Sequence, residues 1–120
     1  MDERQVEFFR DLLTREQMRL RGEIEKLSAI TVAGDNLGYG NHMADDATEA
    51  FEQAKDMALL RHLERVLGDV DDALKKIEAG AYGKCEMCGS MISEERLRVL
   101  PQARLCVDCQ KKAQPTAALE

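Results

Sequence analysis

The sequence predicts a mainly α protein: a long antiparallel coiled-coil helical hairpin followed by a small four-cysteine finger with a short C-terminal helix. Three observations predict it. Apolar residues recur at heptad spacing in two long stretches, a run of turn-forming residues separates those stretches, and two Cys-x-x-Cys pairs follow the second one. The expected division is a hairpin over 1–80 with its tip near 32–46, a finger over 81–114 and a tail over 115–120.

Val6, Leu13, Leu20 and Leu27 lie seven apart, with Phe9, Ile24 and Ile30 on or near the same stripe and Arg, Glu and Gln between them. This predicts one helix from about residue 3 to about residue 30. Asp2, three residues before Gln5, has the spacing of a capping arrangement at its start. Val32 to Ala44 holds Gly34, Asp35, Asn36, Gly38, Gly40 and Asn41, residue types that favour turns, so the chain is expected to fold back there.

The second helix is expected from about Asp46 to about Ala79, where Leu60, Leu67 and Leu74 alternate with Leu63, Val70 and Ile77 at the a and d spacing. Nearer its start the apolar positions move to Ala47, Phe51, Ala54 and Ala58, which predicts a shift of the seam toward the tip. Gly80 and Gly83 break this helix, and the finger is expected to pack directly on the base of the hairpin.

The finger carries the strongest signal. Cys85-x2-Cys88, seventeen intervening residues, then Cys106-x2-Cys109 is the spacing of a tetrahedral four-cysteine zinc site. Four thiolates leave no coordination position for water, so one structural zinc is expected and catalysis at the metal is not. A rubredoxin-like iron site and a dithiol redox switch are the competing readings. Gly89 after Cys88 suits a knuckle that needs positive φ, whereas Gln110 follows Cys109 and implies a differently built second knuckle. Between the pairs, Ser93-Glu94-Glu95 reads as a helix start and Pro101 as the stop, with Leu97, Val99 and Leu105 as a minimal core.

Composition excludes several functions. A formal net charge of -6 over 120 residues, with three Phe, two Tyr and no Trp, argues against affinity built on phosphate neutralisation or base stacking. A free-standing zinc ribbon for nucleic acid is therefore the weaker rival. No run of about 18 apolar residues and no export signal occur, so no membrane association and a cytoplasmic location are expected. No Ser/His/Asp or Cys/His set, phosphate loop or open metal site can be assembled, so no enzymatic activity is expected. The hairpin can bury its own seam, which favours a monomer.

From Leu27 to Ala54 there is no Lys or Arg, while Asp35, Asp45, Asp46, Glu49 and Glu52 fall in that stretch. Asp45 or Asp46 as a cap of the second helix accounts for part of this acidity. A rod of about 50 Å with carboxylates at its end is also shaped to reach into a narrow channel of a partner, and His42 lies in the same segment. His62, beside Leu63, reads as a surface residue, and the Met residues read as packing.

Ala81 to Gly89, Ile92, Arg96-Leu97, Pro101 and Leu105 to Gln110 resemble the finger of the DksA/TraR family, and Asn41 to Glu52 is similar to the segment before the second helix in Gram-positive-type members. The resemblance implies a transcription regulator. Its members insert the coiled coil into the secondary channel of bacterial RNA polymerase, approach the active-site magnesium with the acidic tip and alter initiation complexes, with no sequence-specific DNA contact. Apart from the resemblance, a zinc- or redox-responsive adaptor whose finger loses metal on oxidation is the alternative, beside the nucleic-acid-binding zinc ribbon. In family members the tip motif is Asp-x-x-Asp-x-Ala, and the matching positions here are His42, Asp45 and Ala47, with Asp46 adjacent. Family members also hold guanosine tetraphosphate with basic residues at positions that fall here on Asp69, Leu100 and Gln110, none of them basic, so no alarmone binding of that kind is expected.

Overall fold

The structure is a computed structural model that describes residues 1–37 and 43–113, with side chains described for residues 1–30 and 48–113. Four helices follow one another: α1 (Glu3–Leu37), α2 (Met43–Ala79), α3 (Glu94–Val99) and α4 (Val107–Ala113). Among the described residues there is no strand, only an isolated antiparallel bridge between Lys84 and Met91. The α class, the two long helices and the short C-terminal helix agree with expectation.

α1 starts on a reciprocal capping box. The Gln5 amide donates to Asp2 Oδ1 at 2.8 Å and the Asp2 amide donates to Gln5 Oε1 at 3.0 Å. Its end differs from expectation, since the helix runs on through Gly34, Asp35 and Asn36 to Leu37. α2 likewise begins earlier, at Met43, so Asp45 and Asp46 belong to its first turn and do not cap it. His42 lies outside the described residues, as does the tip between residues 38 and 42.

Packing divides the chain into two units, residues 1–17 with 68–120, and residues 18–67. In the second unit, Leu20 is buried, and Ile24, Leu27, Leu60, Leu63 and Leu67 are half-buried along the helix pair. The expected seam shift does not occur. Phe51 is 66% exposed and Ala54 and Ala58 are exposed, while Gln53 and Asp56 take half-buried positions in line with Leu60 and Leu63. Heptad continuity therefore wins over local hydrophobicity in α2. Ile30, expected near the stripe of α1, is also exposed.

In the first unit α1 and α2 run antiparallel, with Arg10 paired to Glu78 and Gln17 to Asp71, seven residues on along one helix and seven back along the other. Phe9, Leu13, Val70, Ala73 and Ile77 form the helical part of the core, and Tyr82, Ile92 and Leu97 extend it into the finger. Phe9 and Tyr82 meet with ring centroids 5.6 Å apart. α2 stops on a Schellman turn, in which Gly80 at φ +72° lets its amide reach Ile77 O at 3.1 Å and the Ala81 amide reach Lys76 O at 2.8 Å.

Candidate metal centre

The backbone around Cys85 builds the first knuckle. Gly89, at φ +76°, donates its amide to Cys85 O at 3.0 Å, and the Cys85 amide donates to Ser90 O at 2.8 Å. An L side chain at that φ would be strained, so the glycine sets the return of the chain past the first pair of sulfurs. The second knuckle opens directly into α4, which contains Cys109 and Gln110, and the Gln110 amide donates to Cys106 O at 2.9 Å. The helical turn replaces the glycine there, which accounts for Gln110. The knuckles are tied together by the Glu86 amide on Arg104 O at 2.9 Å.

These turns bring Cys85, Cys88, Cys106 and Cys109 together, with all four Sγ atoms within 4.8 Å of one another and Cys88 and Cys106 3.8 Å apart. A tetrahedral zinc with bonds of about 2.3 Å sets its sulfurs about 3.8 Å from one another, so the donor set fits one Zn2+. Cys85 and Cys109 are buried, Cys106 is half-buried and Cys88 is exposed.

The electrostatics also ask for a cation. The Cys88 backbone amide, with those of Cys106 and Met87, lowers the Cys85 thiol to about 6. The Ser90 hydroxyl and amide lower Cys88. Cys109, crowded by Cys106 and Cys85, is pushed up to about 12. Backbone dipoles thus stabilise the first thiolates, and mutual repulsion opposes the last one until a divalent ion neutralises the set. With four sulfurs bound, the metal has no open position, which makes the site structural.

α3 holds the loop between the pairs in place. Ser93 caps it by accepting from the Arg96 amide at 3.3 Å, Leu97 is fully buried, and Leu100 and Pro101 end it. Val99, expected in the core, is 78% exposed, because two residues along a helix turn the side chain about 200° away from Leu97. Tyr82 is the core residue that the spacing did not single out. Its hydroxyl donates to Pro101 O at 2.7 Å in a buried position.

The finger is bolted to α2 by charge. Arg104 uses all three guanidinium nitrogens: Nε to Asp69 at 2.8 Å, Nη2 to Asp72, and Nη1 to Glu86 at 3.5 Å. Lys76 pairs with the same Glu86. The carboxyl of Glu86 is held below its usual range, first by the hydrogen bond from Lys76. Sequence counted Arg104 only as a basic residue of the finger; the i, i+3 pair Asp69 and Asp72 on α2 was its one signal. On the α1 side, Arg98 lies 5.1 Å over the ring of Phe8 and Gln5 donates to Glu94 at 3.3 Å.

Of the predicted tip residues, Asp45, Asp46 and Ala47 lie in the first turns of α2 with side chains outside the described set, and His42 is outside it altogether. No helix among the described residues is long and apolar enough to cross a membrane.

Residues 80–115 match the model of the prokaryotic dksA/traR C4-type zinc finger. YteA of Bacillus subtilis is 47% identical over 70 residues, 58% of this chain, and the match spans only 29% of YteA. The RNA polymerase-binding transcription factor DksA of Caulobacter vibrioides is 30% identical over 114 residues, covering 93% of this chain and 78% of that protein. The solved structure of transcription factor DksA2 from Pseudomonas aeruginosa superposes with a TM-score of 0.80 at 31% identity, over 93% of this chain and 84% of that one. Zinc is the metal of this finger class, and relatives that span nearly the whole chain are transcription factors. The chain belongs to the DksA/TraR family of C4-type zinc-finger proteins.

Proposed function

We propose that this protein regulates transcription by binding bacterial RNA polymerase and inserting the α1–α2 tip into the secondary channel. One observation carries the reading: two helices of 35 and 37 residues, each about 50 Å long, the second with Asp45 and Asp46 in its first turns, precede a four-cysteine finger in a chain that matches a solved transcription factor across 93% of its length. Cys85, Cys88, Cys106 and Cys109 hold the structural zinc, and His42, Asp45, Asp46 and Ala47 form the acting tip. Carboxylates on a narrow helical end suit an approach to a bound divalent cation or to basic channel walls. His42, in place of an acid, reduces the charge there.

Guanosine tetraphosphate does not act through this protein in the family's way. Asp69, Leu100 and Gln110 line one depression, and the arginine in that depression closest to α2, Arg104, is held by carboxylates. The test is a pull-down of core polymerase by the zinc-loaded protein beside an Asp45→Asn, Asp46→Asn variant, followed by promoter-complex lifetimes. Binding by both with lifetimes changed only by the parent chain supports the acting tip. No binding by the parent chain refutes the polymerase reading.

A further inference from the structure

Lys84 and Met91 face each other in an isolated antiparallel bridge, and the bonds that close it belong to their neighbours. The Cys85 amide donates to Ser90 O at 2.8 Å and the Ile92 amide to Gly83 O at 2.7 Å. Backbone groups alternate in direction along a strand, so the amides and carbonyls of Lys84 and Met91 point outward along the two edges. The edge on the Lys84 side is in use, because the next outward amide, that of Glu86, donates to Arg104 O at 2.9 Å. On the other side, no hydrogen bond among the described residues reaches the Met91 amide or carbonyl. A strand edge with unpaired groups is a template for one more strand. A cavity of about 250 Å³ adjoins this bridge. Ile77 and Tyr82 are its buried lining, Met1, Val6 and Met91 its more exposed apolar lining, and Lys84 its one charged residue. The Lys84 ammonium has no carboxylate partner among the described residues. The cavity is smaller than the roughly 300–1,000 Å³ of sites that enclose a whole small molecule, and it has the size for a large apolar side chain.

We propose that the Met91 edge and this cavity together dock an extended segment of a partner protein by strand addition, with a large apolar residue opposite Met91 and a carboxylate two residues from it. In an antiparallel arrangement one residue of the incoming strand accepts from the Met91 amide and donates to the Met91 carbonyl. Its side chain then lies on the same face as those of Met91 and Lys84, which is the face of the cavity. A residue two positions along the strand shares that face, and a carboxylate there answers the unpaired charge of Lys84. Two backbone hydrogen bonds, one apolar side chain and one exposed ion pair make a weak, readily exchanged contact. The surface uses neither the hairpin tip nor any of the four cysteines, so it stands independently of the polymerase reading.

The experiment follows the amide resonances of the isotope-labelled, zinc-loaded full chain while the end-blocked peptide Thr-Leu-Thr-Glu-Thr is added to about 10 mM, a range that reaches weak complexes. The Met91 amide and the resonances of Tyr82 and Lys84 are expected to shift in a saturable way, and N-methylation of the peptide's leucine, which removes its donor, is expected to abolish the effect. Replacing the peptide's glutamate by glutamine is expected to weaken binding about threefold, the size of one exposed ion pair. The Lys84→Gln variant, with zinc content and helicity verified, is expected to bind both peptides equally. The proposal is overturned if no saturable shift occurs at Met91, if the N-methylated peptide binds as well as the parent peptide, or if Lys84→Gln keeps the preference for glutamate. Equal shifts with hexanoate assign the cavity to a small amphipathic anion, and shifts that grow with protein concentration alone assign the edge to a second copy. Either result also overturns it.

Discussion

Tyr82→Phe removes one oxygen atom from the centre of the finger and leaves the ring in place against Phe9. The ring packing, at 5.6 Å between centroids, is retained, so the change isolates the 2.7 Å hydrogen bond to Pro101 O. A neutral hydrogen bond contributes about 1 kcal/mol net, and a buried acceptor left without a donor adds a penalty, so the expected loss is about 1–2 kcal/mol. For a unit of this size that corresponds to a fall in Tm of roughly 5–10 °C. The assay is thermal unfolding of the zinc-loaded protein at fixed free zinc, because bound metal shifts the apparent stability by mass action. An unchanged Tm refutes the reasoning, since the Pro101 carbonyl would then be satisfied without the phenol. The same bond has a pH signature. Burial raises the Tyr82 phenol above its ordinary value of about 10, so the folded state favours the protonated form. That stability is fully present below about pH 10 and is lost as pH rises through the raised folded value, and Tyr82→Phe is expected to flatten the alkaline limb.

Asp2→Ala breaks the reciprocal box with Gln5 and is expected to cost about 1 kcal/mol, read by denaturant midpoint, with Gln5→Ala in the same background adding little. Cys88→Ser, at the exposed corner of the sulfur cluster, is expected to lower zinc affinity by orders of magnitude in a chelator competition and to remove amide-exchange protection at Ile92 and Leu97. Glu86→Gln removes a carboxylate whose pKa is depressed in the folded state. The stability it contributes is full above its unfolded value of about 4.3 and lost as pH falls through the folded one, so the variant is expected to show a shallower acid limb in urea titrations between those pH values. Arg104→Leu is expected to leave three carboxylates facing one another with only Lys76 to offset them, and the resulting loss of stability should shrink as salt is added.

The parts of the fold that repeat were legible in the sequence. Heptads placed both helices, Gly80 placed the end of α2, and paired Cys-x-x-Cys placed the finger, because each is a local pattern with one dominant physical outcome. What failed was local hydrophobicity without register. Ala47, Phe51, Ala54 and Ala58 look like a seam, yet the pair of helices keeps the phase set by Leu60 to Ile77, and Phe51 is left outside. Val99 failed for a similar reason, since a six-residue helix has only one inward face and Leu97 occupies it. In the metal site, the four cysteines were legible by spacing, whereas Tyr82 and Arg104 were not. Their partners are 19 to 35 residues away in sequence, and no local pattern links a phenol to a proline carbonyl or an arginine to two aspartates on another helix.

The finger has too little apolar surface to hold its own shape, and the structure compensates with three kinds of attachment. Helices of six and seven residues are too short to persist alone in water. Their core is Leu97 with Ile92 and Tyr82, and Phe9 of α1 closes it. Zinc fixes the two knuckles to each other, the Tyr82–Pro101 bond fixes the end of α3 to the start of the finger, and Arg104 fixes the second knuckle to α2. The three respond to different agents: chelation or thiol oxidation, heat, and ionic strength or charge substitution. The charge attachment is the only one of the three whose strength a solute anion can alter without unfolding the core. Arg104 with Asp69, Asp72 and Glu86 is therefore the attachment expected to weaken first as salt is added.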